Sequence, residues 1–215
     1  MIQLKQFVFN PLRVNTWLLY DEDSNGILID AAFSAHGEQM KLDTFLKDQQ
    51  ITLRYLLNTH GHFDHVMGTA AVKRIYNPQF LIHQDEMKLL ETAVNQAAFF
   101  GLELSGEVPE PDAYLEHGQW LQAGEIRIQV LAVPGHSPGG VAFWVPQKRW
   151  LFTGDTLFAG GIGRTDLPGG SYERLMVSIR EQLLVLDPET EVFPGHGPIS
   201  TIGTEIMSNP FIINR

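Results

Sequence analysis

Thr59-His60-Gly61-His62-Phe63-Asp64-His65 gathers three imidazoles and one carboxylate into seven consecutive residues, in a chain of 215 residues with only 8 His. Imidazole is the commonest metal ligand among side chains, so a cluster this dense reads as a metal site or a pH-sensitive patch. The preceding segment Leu53–Asn58 has the apolar character of a buried strand and delivers the motif at its C-terminal end. A metal site must complete its ligand set elsewhere in the chain.

Three later segments supply donors in the same way. Val133 is followed by Pro134-Gly135-His136, Thr153 by Gly154-Asp155, and Phe193 by Pro194-Gly195-His196. The repeated Pro-Gly-His-x-Pro, at Pro134–Pro138 and Pro194–Pro198, places a metal-capable side chain directly after a strand, with Gly permitting a sharp turn. In α/β proteins neighbouring strands deliver such loops to a common edge. His60, His62, Asp64, His65, His136, Asp155 and His196 are therefore candidates to meet there. A catalytic Zn(II) site typically uses three protein ligands and an open position. Seven ligands exceed that and suit two ions with one bridging carboxylate.

Working outward, Ile2–Phe9, Val14–Tyr20 and Gly26–Ile29 read as an antiparallel meander with a turn at Asn10-Pro11. Ser34 is expected to cap a helix running to about Gln50, with Leu42, Phe45 and Leu46 on its inner face. A helix over Gly68–Tyr76, a strand Gln79–His83 and a helix Asp85–Phe100 follow, the last with Met87, Leu90, Val94 and Ala97 as its apolar stripe. After a loop from Ser105 to Asp112, Tyr114–Gly118 and Trp120–Gly124 lead into a strand expected over Ile126–Val133, and Val141–Val145 and Trp150–Thr153 read as a pair of apolar strands. A Gly-rich loop spans Gly160–Gly170, Ser171 caps a helix with Leu175, Ile179, Leu183 and Leu186 facing inward, and Glu191–Phe193 is the last strand. The alternation predicts an α/β protein. Taken alone, Asp30 at a strand end reads as a turn or cap residue; His36, His83 and His117 read as solvated, packing or turn residues without a role.

The composition is that of a globular protein, with 44% hydrophobic and 19% charged residues. A net charge of -10 opposes a phosphate backbone, which argues against nucleic-acid partners. No charged segment followed by an apolar run opens the chain, and no window approaches the roughly 18 apolar residues of a membrane span. Cys is absent, so neither disulfides nor thiolate ligands are available. The expected location is cytoplasmic, with no membrane partner.

T-H-G-H-F-D-H, followed in order by P-G-H, F-T-G-D and P-G-H-G, resembles the metallo-β-lactamase superfamily. Within it the chain is most similar to short glyoxalase II-like (hydroxyacylglutathione hydrolase-like) enzymes. The likeness covers nearly the whole chain and includes L-I-D-A at Leu28–Ala31 and G-I-G-R-T-D at Gly161–Asp166. It implies a four-layer αββα sandwich, residues 1–215 forming a single domain without the C-terminal helical domain of longer glyoxalase II enzymes. It also implies that His60, His62 and His136 hold one ion, Asp64, His65 and His196 a second, and Asp155 bridges. Asp30 then becomes a residue that orients a ligand. Two divalent ions, Zn(II) with Fe or Mn as alternatives, are the implied cofactors.

The implied reaction is hydrolysis of a small-molecule thioester, such as an S-acylglutathione, by a metal-bound hydroxide. Arg164 is the candidate to grip a substrate carboxylate, with an ion pair to Asp166 as the competing reading. An iron persulfide dioxygenase, using His60, His136 and Asp155, shares these motifs, and a lactonase shares the seven ligands. Antibiotic-hydrolysing enzymes fit less well, since they usually alter the second ligand set or use Cys there. Acyl group, thiol, metal and oligomeric state are not written in the motifs.

Overall fold

The computed structural model describes residues 1–104 and 106–213. The chain divides into two units, Met1–Tyr114 with Gln122–Ile126 and Leu115–Leu121 with Arg127–Arg215. In the first unit, β1 (Gln3–Phe9), β2 (Val14–Tyr20) and β3 (Asn25–Ile29) form the expected antiparallel meander. β4 (Thr52–Leu57), β5 (Gln79–Ile82) and β6 (Ala113–Tyr114) extend it in parallel, giving the order β1-β2-β3-β4-β5-β6. Parallel neighbours require crossovers, supplied by α1 (His36–Asp48) between β3 and β4 and by α2 (Phe63–Val66) and α3 (Thr69–Tyr76) between β4 and β5. After β5, a 3-10 turn at Gln84–Glu86 leads into α4 (Met87–Phe99). Leu42 and Leu46 of α1, Ala71 and Val72 of α3, and Leu90, Ala93 and Ala97 of α4 join Leu18, Leu28, Leu56 and Phe80 of the sheet in one buried core.

Two expectations for these helices do not hold. Ser34 does not cap α1: Ala35 is the N-cap. The carboxylate of Glu38 does the satisfying, accepting from the backbone N–H of Ser34 at 2.9 Å and of Ala35 at 3.3 Å. On α4, Val94 is 47% exposed and the buried stripe is Leu90, Ala93 and Ala97. One residue is a 100° step around a helix, and the small Ala93 lets α4 approach the core where Val would hold it off. Ser105, the first residue of the expected loop, lies outside the described residues.

β7 (Trp120–Ala123), β8 (Ile126–Ala132), β9 (Val141–Val145) and β10 (Trp150–Gly154) precede a small antiparallel pair, β11 (Leu157–Phe158) and β12 (Gly161–Ile162), at the start of the Gly-rich loop. Ser171 Oγ then caps α5 (Tyr172–Ser178) by accepting from Arg174 N–H, and the helix continues through a π-type turn at Ile179–Leu183. β13 (Glu191–Pro194) and β14 (Ser200–Thr201) complete the order β14-β13-β10-β9-β8-β7. Of the stretch Tyr114–Gly118 only Tyr114 belongs to a strand, β6. Beyond it the chain turns instead, with Gln119 N–H donating to the Glu116 carbonyl at 3.1 Å. Two short helices, α6 (Ile202–Ser208) and α7 (Pro210–Ile213), follow β14 and carry no periodic signal long enough to read from sequence. Leu175, Met176, Ile179 and Leu183 pack with Leu131, Ala142, Leu151 and Val192, while Leu186 is only partly buried. Among the described residues no helix is long and apolar enough to cross a membrane.

Candidate metal centre

β3 and β4 run parallel with Ile29 opposite Leu57, and Asp30 N–H donates to the Leu57 carbonyl at 2.9 Å. Asp30 and Thr59 therefore leave the sheet side by side. Asp30 sits at φ 54°, a left-handed conformation that Asp tolerates better than most residues. Its carboxylate is 1% exposed and fully engaged. One oxygen accepts from Thr59 N–H at 2.8 Å and Asn58 Nδ2 at 3.3 Å; the other accepts from Thr59 Oγ1 at 2.7 Å and faces His65 Nδ1 at 2.9 Å.

A carboxylate only accepts, so His65 Nδ1 carries a proton, and in the neutral ring Nε2 presents its lone pair. Thr59 has one hydroxyl proton, and Asp30 receives it. Thr59 Oγ1 must then accept from His60 Nδ1, 3.0 Å away, which makes Nε2 of His60 the unprotonated nitrogen too. One buried carboxylate thus fixes the tautomers of two imidazoles, directly and through a hydroxyl.

His60, His62, Asp64 and His65 are all buried, and their rings are close: 4.8 Å between His60 and His62 centroids, 4.1 Å between His60 and His65. His65 Nε2 and Asp64 Oδ2 are 3.8 Å apart, too far for a hydrogen bond. The four-residue α2 that carries Asp64 and His65 is too short to persist by itself. Two buried amides hold it. Asn10 Nδ2 donates to the carbonyls of Ala32 and Asp64, both at 2.9 Å, and Asn58 Nδ2 donates to that of His65 at 3.1 Å. Glu86, 0% exposed, accepts from the N–H of Gly61 at 2.7 Å, between His60 and His62.

Sequence reasoning assigned nothing to Asn10 beyond a turn and nothing to Glu86. Their signal was a polar residue beside apolar neighbours, which does not distinguish a buried anchor from a surface turn. His83 and His117 make local contacts, accepting from Asp85 N–H and Ala132 N–H respectively.

In the second unit the register again sets the geometry. β10 and β13 run parallel with Gly154 opposite Pro194, so Asp155 and His196 emerge from adjacent strand ends. Asp155 Oδ2 lies 3.5 Å from His196 Nε2 and 3.7 Å from His136 Nε2. His136 Nδ1 lies 2.8 Å from the carbonyl of Arg164; a carbonyl only accepts, so Nδ1 donates and, in the neutral ring, Nε2 is the nitrogen left for a ligand bond. Gly135, at φ 140°, turns the chain sharply before His136, and a Cβ there would lie 2.2 Å from Leu175 N. The Gly161–Asp166 loop passes so close that a Cβ on Gly163 would lie 1.8 Å from the Asp155 carbonyl oxygen.

The guanidinium of Arg164 pairs in a fork with Asp166, both contacts at 2.8 Å, and 59% of its side chain is exposed. Hydrogen bonds from Arg164 hold the Asp166 carboxyl down at about 2.

These donors fit divalent metal. Two ligands bound at about 2.1 Å to one tetrahedral ion stand about 3.4 Å apart. The spacings at Asp155 match that value more nearly than a hydrogen bond, and one oxygen faces two imidazole nitrogens. His65 is orientated by a carboxylate, His136 by a backbone carbonyl, and His60 by a hydroxyl, the outer arrangement that metal-ligating histidines require.

The donors gathered at these strand ends have the chemistry of a divalent-metal site. The family model for the metallo-beta-lactamase superfamily matches residues 9–196. Hydroxyacylglutathione hydrolase GloC of Haemophilus influenzae is 38% identical over 208 residues, covering 94% of this chain and 93% of its own. Among solved structures, BLEG-1 B3 metallo-beta-lactamase matches with a TM-score of 0.90 and 34% identity, over 98% of this chain and 100% of that one. TTHA1623 in a di-iron-bound form matches with a TM-score of 0.86 and 37% identity, over 96% and 99%. The chain belongs to the metallo-β-lactamase superfamily, and the family and fold class expected from the sequence are borne out.

Proposed function

We propose that the protein hydrolyses a small-molecule thioester of the S-acylglutathione kind. In this reading His60, His62 and His136 hold one Zn(II), Asp64, His65 and His196 a second, and Asp155 bridges them. The observation that carries it is Asp155 Oδ2, one carboxylate oxygen within 3.7 Å of the Nε2 atoms of both His136 and His196. The likeness to GloC supports the thioester. Two such ions would supply Lewis acidity, lowering the pKa of water towards ~7 and stabilising negative charge on the acyl oxygen.

The chain's own residues have the remaining tasks. Asp30 keeps His65 and, through Thr59, His60 in the ligating tautomer. Glu86 and Asn10 hold the backbone of the ligand loop. Arg164 grips a substrate carboxylate by exchanging it for Asp166, its present partner. A thiol with a pKa near ~8.5 leaves as thiolate without a dedicated acid.

The test is metal quantification on protein purified without added metal, together with hydrolysis of S-lactoylglutathione. Two ions per chain with thioester turnover is the expected result, and Asp155→Ala should lower both. A two-ion protein without turnover refutes the reading; one iron per chain with oxygen uptake on glutathione persulfide replaces it with a dioxygenase. The likeness to BLEG-1, a B3 metallo-beta-lactamase by name, favours one second reading, β-lactam hydrolysis. Turnover of nitrocefin exceeding that of S-lactoylglutathione would establish it.

A further inference from the structure

The end of α4 carries two phenylalanines into solvent beside the ligand loop. Phe99 is 87% exposed and Phe100 59%, whereas Ala97, two residues before Phe99, is fully buried. Phe100 stacks on Phe63 with centroids 5.2 Å apart and planes at 18°, and Phe99 meets Phe100 edge-on at 5.4 Å. Phe63 is 6% exposed and stands between His62 and Asp64. Three rings therefore run from the ligand loop to the surface.

The pair is not a fraying end. Leu102, Leu104 and Val108, just beyond it, pack against the core, so the segment is anchored on both sides of the exposed rings. At the other end of α4, Glu86 accepts from Gly61 N–H, so the helix is fixed to the ligand loop near both of its ends. Exposed phenyl faces held in a fixed stack gain by covering with apolar surface. In a thioester, the thiol carrier of the glutathione kind is charged and gains little from phenyl faces; the acyl group can be apolar.

We propose that Phe99 and Phe100 form the acyl-binding platform and select thioesters with apolar acyl groups. The proposal rests on the thioester reading above and names its substrate class. Phe99→Ala removes a ring that is 87% exposed and meets the half-exposed Phe100 edge-on, and Phe100→Leu keeps apolar volume over Phe63, so both variants should fold. KM is measured for S-lactoylglutathione and S-mandeloylglutathione with wild type and both variants, and binding of the non-hydrolysable S-hexylglutathione is measured by calorimetry.

The expected result is that each variant raises KM for the mandeloyl ester about tenfold more than for the lactoyl ester, the size of effect an apolar contact contributes to discrimination. S-hexylglutathione should bind about tenfold more weakly to each variant. Equal changes for both esters, or unchanged S-hexylglutathione binding, overturn the proposal while leaving the hydrolase reading intact. Absence of thioester turnover by wild type defeats the hydrolase reading, and S-hexylglutathione binding then still decides whether the rings bind apolar chains. A shift from dimer to monomer in Phe99→Ala, with no change in either ligand measurement, assigns the rings to self-association and overturns it as well.

Discussion

Asp30→Asn preserves the shape of a buried side chain and changes only its hydrogen-bonding character. The carboxylate accepts from Thr59 N–H, Asn58 Nδ2, Thr59 Oγ1 and His65 Nδ1. Asparagine has one oxygen for these donors and one amide group that must itself donate. With the oxygen kept against Thr59 N–H, the amide faces His65 Nδ1 and Thr59 Oγ1. His65 can accept only by moving its proton to Nε2, and Thr59, now accepting from the amide, turns its hydroxyl proton towards His60 Nδ1. Both rings then lose the Nε2 lone pair. Loss of such an outer partner typically weakens metal binding ~10- to 100-fold, about 1.4–2.8 kcal/mol. Replacing charge-assisted bonds by neutral ones costs a further ~1–3 kcal/mol of folding stability. The assays are metal titration against a competing chelator, 15N NMR of the ring nitrogens, and urea unfolding of the metal-stripped protein. Metal affinity within twofold of wild type, with Nε2 of His65 still unprotonated, would show that Asp30 does not set the tautomer.

Asn10→Ala should destabilise the metal-stripped protein by about 3 kcal/mol in urea. Two buried carbonyls, of Ala32 and Asp64, lose their donor at roughly 1 kcal/mol each, and Ala at φ 52° adds about 1 more. Glu86→Ala leaves Gly61 N–H without this acceptor and should weaken metal binding ~10- to 100-fold, while Glu86→Gln, which keeps an acceptor oxygen, restores most of it by chelator competition. Because the folded pKa of Asp166 lies below its ordinary 3.8, its pairing with Arg164 is complete above pH 4 and is lost as pH falls through about 2. A 13C titration of the Asp166 carboxyl should show that midpoint in wild type and a higher one, shifted towards 3.8, in Arg164→Ala.

Much of the candidate metal-binding loop Thr59–His65 is legible because metal chemistry restricts residue types. Few local sequences other than a metal site concentrate His60, His62, Asp64 and His65, and the Pro-Gly-His repeats mark His136 and His196 after strands that their apolar character already betrays. The meander and the parallel crossovers follow from alternation and from intervening helical segments. Where single-sequence reading slipped, competing local signals were nearly equal. Ser34 is a good cap by propensity, but the helix begins one residue later, with Ala35 as N-cap and the Glu38 carboxylate accepting from the N–H groups of Ser34 and Ala35. Val94 is more apolar than Ala93, yet close packing favours the smaller residue on the buried face.

The sequence by itself determined the inventory of donors, their order and the strand ends that carry them, because these depend on residue chemistry and on periods of two and 3.6. Tertiary structure decided how those donors are held. Parallel register brought Asp30 beside Thr59 and Asp155 beside His196 across 29 and 41 positions of chain. It also turned Asp30 from a strand-end turn residue into the acceptor that sets two imidazole tautomers, and brought Asn10 and Glu86 to the backbone of the ligand loop. Such contacts join residues distant in sequence through hydrogen bonds whose direction depends on backbone placement, which local patterns do not encode.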